Sequence, residues 1–311
     1  MSWTECQPRS FAICARLCRV PHQAVMRTST EISEPDSSRE ASIADGRSAI
    51  GEHRRVLHNW LPPLLIFIAI VVGWQAIPTA FGVPIYVFPT ATEVLSAVGS
   101  SGSVFWSAVV TSAVVSAIGL GMSAVLGVGA GCAMARWKPV ELTLYPYMVI
   151  MYTVPIIAIA PIIIVWFGPG ETAILIITVI VGFFPVVTST VVGLQSASAT
   201  SVELFRICGA TKFQTLWKLR LPGALPYIVS ALKVTASLAV VGAIIGEYVA
   251  GTSGASGGLG YVVIVSATRL ETSLLFASAI ASGLLGVLFF VAVSLGGNRV
   301  LRSWHESAMK P

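Results

Sequence analysis

The sequence predicts an all-α fold: a polytopic membrane helix bundle of six transmembrane helices, with a helical elbow on a cytoplasmic loop. Three observations predict it. The 311 residues are 55% hydrophobic and 11% charged, too apolar for an ordinary soluble domain. Mean hydropathy is +0.83, and apolar residues gather in runs of about 20, the length that crosses a hydrocarbon core. Between two of these runs lies residues 200–222, a stretch that combines charge with helical periodicity.

Residues 1–58 read as a polar N-terminal extension, rich in Ser, Arg and Glu, with no apolar run long enough for a signal peptide. Residues 27–55 have the composition of disorder, and Met26 is an alternative start to Met1. Residues 59–305 form the transmembrane domain and 306–311 a short tail. The first span covers about 60–81 and ends in a Pro/Gly-rich stretch. There Thr90 and Glu93 have capping-box spacing, which predicts a short helix at the membrane surface. The second span, 106–135, carries Gly127 and Gly131, a GxxxG pair that lets another helix approach. The third, 141–167, is interrupted by Pro146, Pro155 and Pro161, and the fourth, 172–194, contains Pro185. Membrane prolines mark kinks whose freed carbonyls neighbours must satisfy. The fifth and sixth spans cover 223–249 and 274–295.

The elbow is drawn by local chemistry. Thr200 with Glu203, and Thr211 with Gln214, each match the capping box that opens a helix. Gly209 supplies a left-handed stop between them. Leu221-Pro222 is expected to close the second helix, since proline restricts its predecessor and cannot donate to the ladder. Phe213, Leu216 and Trp217 recur at helical spacing, with Lys212, Lys218 and Arg220 around them. By itself this also describes an amphipathic surface helix among lipid headgroups.

Basic residues fix the expected orientation. With the elbow inside, the cytoplasmic side holds Arg54, Arg55, Arg136, Lys138, Arg206, Lys212, Lys218, Arg220, Arg299, Arg302 and Lys310. The opposite side holds Arg269, so both termini are expected to be cytoplasmic. The net charge of +5 is thus spent on topology, and nucleic-acid binding is not expected. Of five cysteines, Cys132 and Cys208 lie in or beside apolar helices and behave as small hydrophobes. Cys6, Cys14 and Cys18 lack a histidine pattern, so no metal site is expected.

Intramembrane ionisable groups are functional candidates because they are costly there. Lys233 and Glu247 stand 14 positions apart in the fifth span, about 21 Å along a helix and too far to pair. Lys233 reads as an interfacial anchor; Glu247 reads either as a gate residue or as a solvated helix end opening the segment 246–261. No Walker A sequence occurs and no catalytic triad, metal or paired-carboxylate arrangement lies within the membrane segments, so neither ATP binding in that manner nor enzyme activity is expected, and no cofactor.

Glu203, Gly209, Leu219, Leu221 and Pro222 fall at the spacing of the EAA loop of ABC-importer permeases, with Leu204 and Phe205 in place of the usual alanines and Leu219 in place of isoleucine. PTATEV at 89–94, VPIIAIAPIIIVWFGPGE at 154–171, GFFPVV at 182–187, GAIIGEYVAG at 242–251 and GLGY at 258–261 extend the likeness over about 60–305. The chain resembles permeases of the nitrate/sulfonate/taurine type, a group that includes pyrimidine-precursor permeases. It departs from them at TSGASG, 252–257, which is longer than the usual link.

That resemblance implies a bacterial-type inner-membrane importer: a pair of permease subunits, as a homodimer, with lipid around them, two ABC ATPase subunits and an extracytoplasmic solute-binding protein. The elbow would be the coupling helix, with Glu203, Phe205, Gly209, Ala210, Phe213, Trp217 and Pro222 carrying the contact or its geometry. Two faces could touch the ATPase: the Phe213, Leu216 and Trp217 face, or the first helix through Val202 and Phe205. Pro155, Pro161 and Glu247 are candidates for the translocation path or gate, for a small anionic or heterocyclic solute of sulfonate, nitrate or pyrimidine type. The rival readings are an ion-coupled secondary transporter, distinguished by uptake that survives ATP depletion, and a scaffold subunit without solute flux.

Overall fold

The computed structural model describes residues 61–252 and 257–305. The extension 1–58, with Met26, its cysteines, His53 and His58, lies outside the described residues, as do 253–256 of the atypical link and the tail 306–311. Residues 61–66 open the first helix, and a separate compact unit begins at Phe67.

Among the described residues, five helices are long and apolar enough to span a membrane. The first, α1, is Leu61–Phe81. Helix α2, Ala91–Arg136, opens with the Thr90–Glu93 capping box and is interrupted by non-helical geometry at Gly102. A helix opened by the predicted capping box therefore leads, across a break, into the second span. The third expected span is divided: α3, Lys138–Thr153, and α4, Ile156–Phe167, meet at Val154, whose ψ of 127° is extended. Pro155 pushes its predecessor out of the helical region and itself caps α4, so this segment is two short helices where one spanning helix was expected. Helix α5 is Glu171–Gln195 and α6 is Ala199–Ile207. Then come α7, Lys212–Thr215, a π-helical turn at Leu216–Arg220, and α8, Leu221–Thr252. Helix α9, Leu259–Thr268, is a short apolar helix that periodicity did not single out, and α10 is Thr272–His305.

Helix α5 is the axis of the bundle, packed between α2 and α8. Its Ile177, Val186, Val187 and Leu194 are fully buried. Such close packing needs small residues on one side of each contact. A Cβ on Gly127 would lie 2.7 Å from Cβ of Val186, and one on Gly131 at 2.7 Å from Cβ of Thr190. The GxxxG pair therefore seats α5 against α2. The α5–α8 contact uses glycines from both partners: Gly193 against Ala224 and Tyr227, and Gly242 against Thr178.

Several buried hydroxyls are satisfied by nearby groups, while those of Thr235 and Ser266 find no partner among the described residues. Ser116, Thr178 and Thr190 donate to carbonyls four residues earlier at 2.6–2.8 Å, while Ser123 of α2 donates across to the Val179 carbonyl of α5 at 3.2 Å. In an apolar medium each bond removes the cost of an orphan polar group. On the first span, Trp74 donates to the Pro89 carbonyl at 3.0 Å and its ring tilts against Phe276 of α10. Thr272 donates to the Tyr86 carbonyl at 2.8 Å, so the link between α1 and α2 is tied to the start of α10.

Candidate functional site

Two regions hold the predicted site residues: the elbow and the buried surroundings of Glu247. In the elbow, the cap of α6 lies two residues before the expected one. Ser198 accepts from the Ser201 N–H at 3.2 Å, which moves Glu203 out of the first turn, so the Thr200–Glu203 capping box does not form. Glu203 instead faces Arg206 one turn on, at 3.7 Å, with both side chains more than half exposed. An ion pair that exposed contributes little.

The turn after α6 forms as expected. Gly209 takes φ +72°, the Ala210 N–H reaches the Phe205 carbonyl at 3.0 Å and the Gly209 N–H reaches Arg206 at 3.0 Å. This is the Schellman pattern, and it ties the predicted residues Phe205, Gly209 and Ala210 into one turn. Thr211 and Gln214 then make the reciprocal box, at 2.8 and 3.2 Å.

Pro222 does not close the second helix. Leu221 before it is helical, with φ −65° and ψ −44°, and donates to the Leu216 carbonyl five residues back. Proline has no N–H, and the wide turn falls where the ladder is interrupted, so α7 runs on into α8. This continuity decides how the apolar triplet is divided. Leu216 is buried with Leu194, Ala224 and Ile228, while Phe213 and Trp217 are 63% and 56% exposed with ring centroids 5.9 Å apart. Leu204 and Ile207 of α6 are also exposed, whereas Val202 and Phe205 are half-buried. The sequence reading missed Leu204 and Ile207, although their three-residue spacing marks them as one face.

Glu247 is the most enclosed of the predicted residues, at 2% exposed. It is no solvated helix end. Ser112 of α2 donates to its carboxylate, the Gly260 N–H donates to Oε2 at 3.0 Å, and the Leu259 N–H donates to Oγ of Ser112 at 2.7 Å. Gly258, at φ +83°, passes so close that a Cβ there would overlap the carboxylate; only glycine combines that backbone with that space. Pro155 caps α4 and Pro161 lies within it, both exposed, and the hydrogen bonds of Glu247 run to α2 and α9. Lys233 donates to Oδ1 of Asn298 on α10 at 3.0 Å, so it joins two spans and does not reach toward Glu247.

Residues 123–302 match the family described as the binding-protein-dependent transport system inner membrane component. The chain is 34% identical over 247 residues to the formylaminopyrimidine transport permease protein ThiX of Halalkalibacterium halodurans, covering 79% of this chain and 96% of that one. It is 29% identical to the riboflavin transport system permease protein RibX of Chloroflexus aurantiacus, over 79% of this chain and 90% of that one. It is 28% identical to the putative aliphatic sulfonates transport permease protein SsuC of Bacillus subtilis, over 81% and 91%. The fold also resembles a solved inward-facing structure of the MetNI methionine ABC transporter, with TM-score 0.52 and 21% identity over 64% of this chain and 95% of that chain.

Proposed function

The chain belongs to the binding-protein-dependent transport system inner-membrane family and is a permease subunit of an ABC importer in the inner membrane; from that premise we propose that its elbow is where a separate ATPase subunit drives it. The observation that carries this is the elbow's division of labour. Leu216 is anchored in the bundle, while Phe213 and Trp217, four residues apart, are left uncovered on the same rigid segment. An uncovered aromatic pair on a helix is suited to a groove in a partner, and Leu204 and Ile207 extend the apolar surface. The anchored half then passes any displacement into α8.

Two copies of the chain would form the path, with an extracytoplasmic binding protein delivering the solute. The basic residues around the elbow favour cytoplasmic termini. The named relatives support a small heterocyclic or anionic solute of the pyrimidine-precursor, flavin or sulfonate kind. Glu247 serves as a gate residue by holding α8, α9 and α2 together at one carboxylate, and Pro155 lets α4 move separately from α3.

The elbow is tested by Gly209→Val and Gly209→Asn, with uptake and ATP hydrolysis measured in the reconstituted complex. A Cβ at position 209 meets nothing within 4 Å, so within this chain any effect comes from the backbone, and asparagine controls for a side chain that meets the partner. Valine strains the left-handed turn by about 1–2 kcal/mol or more, whereas asparagine tolerates it. Uncoupled hydrolysis with lost uptake in the valine variant alone supports the reading; normal coupled uptake in both sinks it.

A further inference from the structure

Beside the elbow is a cavity of about 590 Å³ into which four cationic residues converge from four different elements: Arg136 at the end of α2, Arg206 of α6, Lys212 of α7 and Arg220 of the π turn. Its lining contains no carboxylate. Among the described residues Arg206 has only the loose, exposed ion pair with Glu203; Arg136 lies 5.8 Å from the centroid of the Trp137 ring. The Nε of Arg220 is buried and makes no hydrogen bond among the described residues. A buried guanidinium N–H without an acceptor is costly, and like charges gathered without a counter-charge repel. Both costs are relieved by one anion.

We propose that this cavity binds the phosphate group of an anionic phospholipid headgroup. Three of the four cations are arginines, whose planar forks suit phosphate oxygens. Arg136 is the last residue of a spanning helix, which puts the site at headgroup depth, where basic clusters recruit anionic lipid. Val202 and Leu216 supply an apolar wall for the carbon skeleton next to the phosphate. The same residues join α2 to the elbow, so an occupied site would brace the elbow against the bundle. This goes beyond the coupling role proposed above and does not depend on the transported solute.

The test is native mass spectrometry of the full-length chain in detergent, with dioleoylphosphatidylglycerol and dioleoylphosphatidylcholine as probes and inorganic phosphate as competitor. The wild-type chain should retain the anionic lipid about tenfold better than the zwitterionic one, and R136Q/R220Q should lose most of that preference. Arg220→Lys, which keeps the charge, should retain much of it, and Arg269→Gln, remote from the cavity, should change nothing. Displacement of the lipid by millimolar inorganic phosphate would assign the same anion site to a soluble source; resistance to it assigns the site to the headgroup. Equal retention of both lipids by the wild-type chain without phosphate binding overturns the proposal whether or not the variants fold. So does R136Q/R220Q that behaves as wild type, or that loses only assembly with an ATPase whose acidic segment fills the cavity.

Discussion

Ser112 of α2 and Glu247 of α8 stand 135 positions apart, yet the hydroxyl of one lies 2.8 and 2.7 Å from the two carboxylate oxygens of the other. The same hydroxyl oxygen accepts the Leu259 N–H, and both side chains are essentially sealed from solvent, at 0% and 2% exposure. Three helices thus share one small polar knot inside an apolar bundle. Ser112→Ala removes a donor and an acceptor together. It should cost about 1–3 kcal/mol, the price of orphaned buried groups, read as a lower thermal midpoint of the detergent-solubilised chain. An unchanged midpoint would mean the knot is not closed in solution.

Glu247→Gln keeps the shape of the carboxylate but turns one acceptor into a donor. Its one carbonyl oxygen can still accept from Ser112 and Gly260, which both reach Oε2, but an NH2 donor replaces Oε1 beside Ser112 and the negative charge is lost. If the knot opens and closes during transport, uptake should fall well below wild type, and substrate-stimulated ATP hydrolysis should fall with it. Wild-type values for both would dismiss a gate at this position.

Gly131→Val and Gly129→Val form a matched pair on one helix. The first places a branched side chain against Thr190 of α5, while the second meets nothing within 4 Å. Overpacking of a close helix contact costs about 1–3 kcal/mol. The yield of monodisperse protein should therefore drop for position 131 and hold for position 129. Equal yields would show that α2 and α5 are farther apart than described.

The elbow triplet separates anchoring from docking. Leu216→Ala should destabilise the chain by about 2–5 kcal/mol, as loss of a buried leucine does. Phe213→Ser and Trp217→Ser should leave the thermal midpoint of the isolated subunit almost unchanged and weaken its association with the ATPase. Loss of stability in all three would place the rings in the permease core.

What was legible in the sequence was local. The capping boxes at Thr90 and Thr211 and the left-handed turn at Gly209 each depend on residues within four positions, and all three formed. The spans were legible from hydropathy and the α2–α5 contact from glycine spacing. Competition defeated the rest. Ser198 outcompeted Thr200 as a cap, a choice both residues allow. The rule that a residue before proline leaves the helical region held at Val154, which divided a span, and failed at Leu221, where the wide turn absorbed the proline. The partners of Glu247 come from helices remote in sequence, and no periodicity announces them.

The turn at Leu216–Arg220 has a consequence for the register of the whole rod. A π turn holds one residue more than the α-helix around it, so it is a stored insertion. Deleting a single residue there would leave an unbroken α-helix from Lys212 onward with both flanks facing as they do now, whereas the same deletion in regular helix would rotate everything on its N-terminal side by about 100°. Tightening the turn to α geometry without a deletion would swing Phe213 by that angle while Ala224 and Ile228 stayed in place. The aim of the aromatic pair is held by a wide turn that absorbs one surplus residue.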